Sequence, residues 1–201
     1  LIDLGLQPLA NNLIPINNNT ESQVYPLKLI YFPESHLICL SYFVSRNDLF
    51  DNYLYISGFS ETFKRHFRNY ADSLINDFNL DESSFVVDIG SNDGILLERL
   101  KKKNINILGI EPAENIAKIA NKNGIKTECS YFNRKIIEKV LSKNGTANII
   151  TANHIFAHIT DINGFIDNVN ILLNNNGIFI IEIQYFQNTF EELSFDNIYH
   201  E

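Results

Sequence analysis

The chain has 201 residues, 45% of them hydrophobic, with a formal net charge of −8 and a pI near 5.1. That length holds one ordinary domain and a small appendage, and the hydrophobic content supports a packed core rather than disorder. An acidic chain repels a phosphate backbone, which disfavours a nucleic-acid polymer as partner. No apolar run reaches the ~20 residues of a membrane span and no secretory signal opens the chain, so a cytoplasmic protein is expected.

Residues 1–46 carry four of the five prolines and an Asn-rich stretch, "IPINNNTES". The short apolar runs "PLKLIYF" and "HLICLSYFV" suggest a few strands in a small irregular module, poorly suited to a core of its own. Residues 47–82 form a second segment. Within it, Phe63, Phe67, Tyr70, Leu74 and Phe78 recur at gaps of three and four, the pattern of one helix face, and Ser60 is placed to cap that helix. From residue 83 to 201, strand-like runs alternate with helical patterns. "FVVDI" is followed by "GILLERLKKK", "INILGI" by "AENIAKIANKNG", "IKTEC" by "NRKIIEKVLSKNG", and "ANIITA" by "INGFIDNVNILLNNNG" and "IFIIEIQYF". Such alternation implies βαβ units and a parallel sheet, an α/β Rossmann-like class. Cys39 and Cys129, the only cysteines, are far apart and fit neither a metal knuckle nor a disulfide framework. The chain lacks methionine and starts at Leu1, so a piece of a longer protein is expected.

The first strand of that series runs into "DIGSNDG", residues 88–94. Ligands of doubly wound sheets sit beyond the carboxyl ends of the strands. Gly90 permits a tight turn, and Gly94 opens a helix whose free N–H groups face that side. A dinucleotide fingerprint needs G-x-G-x-x-G. Asn92 stands at its middle glycine, which argues against a pyrophosphate and hence against NAD or FAD. Glu111, in "LGIEPA", ends the next strand about twenty residues later, where a carboxylate accepts hydrogen bonds from ribose hydroxyls. Ribose without pyrophosphate fits an adenosine ligand. The plainer alternative is a strand–helix junction whose glycines serve geometry alone.

"VVDIGSNDG" with "GIEPA" resembles motif I and the acidic motif of class I S-adenosylmethionine-dependent methyltransferases. The resemblance implies that Asp88 and Gly90 shape the turn around the methionine part and that Ser91, Asn92, Asp93 and Gly94 line it. It implies further that Glu111 clamps the ribose, that Asn115 lies near the ribose or adenine, and that Asn153 meets the amino-acid end. A more specific resemblance spans the chain. "DLGLQPLAN", "YPLKL", "YLYISGFSETFKRH", "DIGSNDGILL", "GIEPAENIAKIA", "TANHIFAHITD", "IEIQYF" and "FDNIYHE" are similar, in order, to nucleotide-sugar C-methyltransferases that methylate carbon 3 of 4-keto deoxysugars. This implies a nucleotide-sugar substrate and an enolate formed by a general base before methyl transfer. His158 and Tyr199 would contact the sugar or orient its reacting edge, and Glu201 would be the acid beside the base. In the family the base closes a Tyr-x-Glu-His motif, which falls one residue past Glu201; His200 takes the variable position. Tyr55, Ser57 and Ser60 match a region that closes over the sugar. Each has a structural alternative: His158 as a surface or core histidine, Tyr199 as a packing aromatic, and the 55–60 region as a loop packed on the sheet with Ser60 as a cap.

Relatives carry a zinc module at the N-terminus, of which residues 1–46 would be a remnant. Phe32 and Ser35 occupy positions where its second cysteine pair is expected. A closed tetrahedral site lacking two ligands does not form, so no zinc is expected. The family also continues past residue 201, so residues 83–201 read as a truncated cofactor domain and activity is not expected from this segment by itself. Two other functions stay open: an O- or N-methyltransferase of another small molecule, and a non-catalytic module that holds S-adenosylmethionine or a sugar nucleotide. The oligomeric state is open as well.

Overall fold

A computed structural model describes residues 1–10, 13–15, 22–45, 49 and 60–200. The chain divides into two compact units, Leu1–Leu54 with Tyr185–Glu201, and Tyr55–Gln184.

In the first unit, β1 (Ile2–Pro8), β2 (Val24–Phe32) and β3 (Leu37–Leu40) form an antiparallel sheet in the order β1-β2-β3. The sequence reading did not assign β1. Its apolar alternation is broken at Gly5, which adopts φ +74° where the β1–β2 register shifts between Asp3 and Leu6, as a bulge does. Leu27, Leu29 and Val44 are buried. Phe32 ends β2 and Ser35 lies in the turn before β3. The same unit holds α6 (Phe186–Glu191), which follows the second unit in the chain, and a 3₁₀ turn at Phe195–Asn197.

The second unit opens with α1 (Glu61–Asp77), capped by Ser60, whose hydroxyl accepts the N–H of Phe63 at 3.4 Å. Phe67, Ala71 and Leu74 form its buried stripe. Phe78, expected on that stripe, is instead the C-cap and is partly exposed. Then follow β4 (Phe85–Ile89), α2 (Ile95–Lys101), β5 (Asn106–Glu111), α3 (Glu114–Lys122), β6 (Thr127–Cys129), α4 (Arg134–Asn144), β7 (Ala147–Asn153), a 3₁₀ turn (Phe156–His158), α5 (Ile162–Leu172) and β8 (Leu173–Glu182). The sheet order is β6-β5-β4-β7-β8, with every pair parallel. The α/β Rossmann-like class expected from the sequence is therefore the observed one.

All five residues of β4 are buried, as a central strand covered on both faces requires. Its side chains alternate between two cores. Val87 and Ile89 pack with Ile137 and Val140 of α4 and Phe165 and Leu172 of α5. Val86 packs with Phe67 and Leu74 of α1 and Leu97 and Leu100 of α2. Each fully buried aliphatic side chain contributes roughly 1.5–3 kcal/mol. The chain runs outward from β4 through β5 to β6, then returns to β7 and β8, so the switch point lies at the carboxyl end of β4, beside β7.

The last strand differs from the expected 178–186. Ile178 to Glu182 pair with Ile149 to Asn153 of β7, whereas Leu173 pairs with Ala147 across a register shift. The Asn-rich segment before Gly177 takes up the extra residues. The apolar run continues through Ile183 and Tyr185, but Tyr185 is already the N-cap of α6. No helix among the described residues is long and apolar enough to cross a membrane.

Candidate functional site

The turn after β4 is fixed by backbone geometry. Gly90 has φ +68° and its N–H donates to the carbonyl of Ile110 at 2.8 Å, tying the turn to β5. A Cβ on Gly90 would lie 2.4 Å from Cγ2 of Ile155. Asn92 is also left-handed, at φ +48°, a conformation that asparagine tolerates, and its Oδ1 accepts the N–H of Asp93 at 2.9 Å. Gly94, at φ +82°, is the N-cap of α2, and its N–H donates to the carbonyl of Ser91 at 2.9 Å.

Glu111 ends β5 and is buried. Its carboxylate accepts the N–H of Asn92 at 3.0 Å and that of Ala113 at 2.9 Å. Burial raises the pKa of Glu111, and the two N–H donors offset part of that rise. A carboxylate has room for about four hydrogen bonds, so Glu111 can accept more than these two.

Asp88, 3% exposed, accepts Thr151 Oγ1–H at 2.7 Å and Asn153 Nδ2–H at 3.3 Å. Burial pushes its pKa up to about 7; the bond from Thr151 opposes this and the charge of Glu111 adds to it. Asn153 Oδ1, Ser91 Oγ and Tyr70 Oη are buried with no hydrogen-bond partner among the described residues. Ser91 Oγ sits against β5, 2.4 Å from where a Cβ on Gly109 would be. Burial, with the carboxylates of Asp88 and Glu182, holds the Tyr70 phenol protonated well above its usual range.

The structure thus brings Asp88, Gly90, Ser91, Asn92, Glu111 and Asn153 together at the carboxyl edge of the sheet. Asp93 and Gly94 lead into α2, and Asn115 is exposed in the first turn of α3. His158 is partly buried in the 3₁₀ turn after β7. Tyr199 belongs to the first unit and is 44% exposed. His200 is buried in that unit, its Nε2 3.3 Å from the carbonyl of Tyr25 and its ring edge-on to the Tyr25 ring. Tyr55, Ser57 and Glu201 lie outside the described residues.

One cluster at this edge escaped the sequence reading. The Glu182 carboxylate, at the end of β8, meets Nε2 of His66 on α1 at 2.8 Å and Nε2 of His154 after β7 at 2.8 Å. Both rings meet the one carboxylate, with hydrogen bonds from His66 and an ion-pair contact from His154, and no group of acidic, histidine or cysteine side chains that could hold a metal occurs among the described residues. The signal that could have found them is the parallel pairing of Asn153 with Glu182, which sets His154 beside Glu182 once the strand order is known.

A family model described as a methyltransferase domain matches residues 63–201. Among curated proteins, the C-methyltransferase NovU of Streptomyces niveus is 28% identical over 202 residues, covering 100% of this chain and 48% of that protein. A ubiquinone biosynthesis O-methyltransferase of Colwellia psychrerythraea is 28% identical over 95 residues, 46% of this chain and 39% of that protein. The chain therefore spans about half or less of the curated relatives it matches. Among solved structures, the plantazolicin methyltransferase BpumL, in complex with a triazolic desmethylPZN analog and SAH, superposes with a TM-score of 0.53 at 18% identity, over 69% of this chain and 54% of that one. An S-adenosylmethionine-dependent methyltransferase from Clostridium acetobutylicum gives 0.50 at 17% identity, over 65% and 54%. With the family model matching well over half of the residues, the chain belongs to the methyltransferase domain family.

Proposed function

We propose that this chain is the cofactor-binding part of an S-adenosylmethionine-dependent C-methyltransferase acting on a nucleotide-linked 4-keto deoxysugar in the cytoplasm. The observation that carries the cofactor reading is the buried carboxylate of Glu111, held over the Gly90–Gly94 turn by the N–H of Asn92. Its remaining lone pairs suit a ribose diol. The acceptor atom Oδ1 of Asn153, buried and without a partner among the described residues, suits the amino group of an amino-acid end. The acidic side chains at this edge, Asp88 and Glu111, are no obstacle to a cationic sulfonium. The residues present fit the cofactor on these grounds. Ser91, Asn92, Asp93 and Gly94 would follow its methionine part and Asn115 its ribose or adenine.

When bound, the cofactor supplies a methyl group on a cationic sulfur that departs as a neutral thioether. The chain's part is to hold and orient and to place donors at the developing oxyanion. His158 and Tyr199 are proposed to contact sugar oxygens, with Glu201 beside the base and Tyr55, Ser57 and Ser60 near the sugar. The C-methyltransferase relative, aligned over the whole chain, supports carbon as the acceptor; the O-methyltransferase relative, aligned over less of it, supports oxygen as the second reading.

The test uses the intact protein, [methyl-¹³C]S-adenosylmethionine and thymidine-diphospho-4-keto-6-deoxyglucose. A labelled methyl bonded to carbon 3, with loss of that carbon's exchangeable proton, is the expected product. A methyl on oxygen would establish the second reading, and no product from this acceptor would refute the sugar assignment.

A further inference from the structure

The second unit also carries a cavity of about 370 Å³ between α1, α2 and the segment that follows α3, a size at which small molecules are held. It reaches Asp93 and Gly94, but Asp88, Glu111 and Asn153 are not on its wall. Its charge is the reverse of the chain's. Lys64, Arg68, Arg99 and Lys102 line it, against the carboxylates of Asp93 and Glu98, in a chain of 24 acidic and 16 basic residues. Like charges gathered around a concavity focus the field inside it. Three of these cations have acidic partners. Lys64 donates to Glu61 at 2.6 Å, Lys102 to Glu98 at 2.6 Å, and Arg99 to Asp72 of α1 through Nε at 2.8 Å and Nη2 at 3.0 Å. The double bond of Arg99 to Asp72 ties the two helical walls together and leaves its Nη1 for another acceptor. Arg68 has no ion pair among the described residues, and Glu61, whose charge it faces, is already taken by Lys64. Ile95 and Ile125 give the cavity an apolar side, and Asn123 an amide.

We propose that this cavity is a binding site for a diphosphate, gripped by Arg68 with Lys64, Arg99 and Lys102 around it. The wall carries four cations and two carboxylates, an excess of two positive charges, and a diphosphate diester brings as many negative ones. A guanidinium fork matches two phosphate oxygens at once, so the uncommitted Arg68 is the principal donor. Ile95 and Ile125 suit the less polar group that the diphosphate carries. The diphosphate of the nucleotide-linked acceptor is the natural source, and to that extent the inference rests on the functional reading above; free pyrophosphate has the same chemistry.

The test is calorimetric titration of the intact protein with inorganic pyrophosphate, thymidine diphosphate and thymidine-diphospho-4-keto-6-deoxyglucose. All three are expected to bind. Arg68→Ala weakens each on the order of tenfold. Arg68→Lys, which keeps the charge and loses the fork, weakens them less, and Lys135→Ala, at an exposed position of α4 away from the cavity, weakens none. Arg68 is exposed, so its variants keep the wild-type circular dichroism. A folded wild-type protein that binds none of the three overturns the inference, as does binding that Arg68→Ala leaves unchanged. Binding of pyrophosphate alone overturns the nucleotide as its source. Pyrophosphate and thymidine diphosphate bound through Arg68, with the sugar nucleotide refused, would uphold the site and overturn the sugar assignment of the functional reading instead.

Discussion

Thr151 Oγ1 donates to Asp88 Oδ1 at 2.7 Å, inside the protein and between the two central strands of the sheet. The bond joins β4 to β7 where the chain reverses direction across the sheet. Asn153 reaches the same oxygen only at 3.3 Å, so Thr151 is the principal donor to a carboxyl that water does not reach. Thr151→Val keeps the shape and removes that donor. The expected cost is about 1–3 kcal/mol, read as a lower urea midpoint at unchanged m-value.

Asp88 makes stability depend on pH in a stated direction. Its pKa rises from the usual 3.8 to about 7 on folding, because burial disfavours the charged form. The folded protein therefore binds this proton more tightly than the unfolded chain does. The contribution is fully present below the unfolded value and is lost as pH rises through the folded one, a window from about 4 to about 7, with a total of up to roughly 4 kcal/mol. Asp88→Asn removes that titration. Urea unfolding across this window should show a downward slope with pH in wild type and a flatter one in the variant.

Gly90 is required both by its backbone and by its neighbour. Its φ of +68° disfavours any L side chain, and a Cβ would meet Ile155 Cγ2 at 2.4 Å. Gly90→Ala should cost about 2–4 kcal/mol, about 1 of it from the backbone alone. Ile155→Ala removes the clashing methyl, so the double variant should be less destabilised than the sum of the two single changes. Thermal melts of the four proteins measure this coupling.

His200 behaves as a packing residue in the first unit. It is buried, edge-on to Tyr25, with Nε2 near the Tyr25 carbonyl. His200→Ala should lower stability by about 1–3 kcal/mol and leave S-adenosylhomocysteine affinity within about threefold, as titration of the folded variant would show.

The turn and its carboxylate were legible in the sequence because both signals are local. An apolar strand running into Gly90 and Gly94 fixes one, and a strand ending at Glu111 fixes the other. The helix cap at Ser60 was legible for the same reason. The end of β8 was not, because Ile183 and Tyr185 prolong the apolar run after the chain has left the sheet. The cluster of His66, Glu182 and His154 was also hidden. His66 and Glu182 are 116 residues apart, and His154 meets Glu182 only through the β7–β8 register. Neither separation leaves a trace in spacing or composition. The first strand, broken by the bulge at Gly5, was missed because a left-handed residue interrupts the alternation on which strands are recognised.

In the proposed function, the Gly90–Gly94 turn and Glu111 hold S-adenosylmethionine. Calorimetric titration of the folded protein with S-adenosylhomocysteine, beside NAD⁺ and a Glu111→Ala variant, tests it most directly. The expected result is micromolar binding, on the order of −8 kcal/mol, lost in the variant and absent for NAD⁺. A folded wild-type protein that binds no S-adenosylhomocysteine, or a Glu111→Ala variant that binds it equally well, would overturn this cofactor assignment.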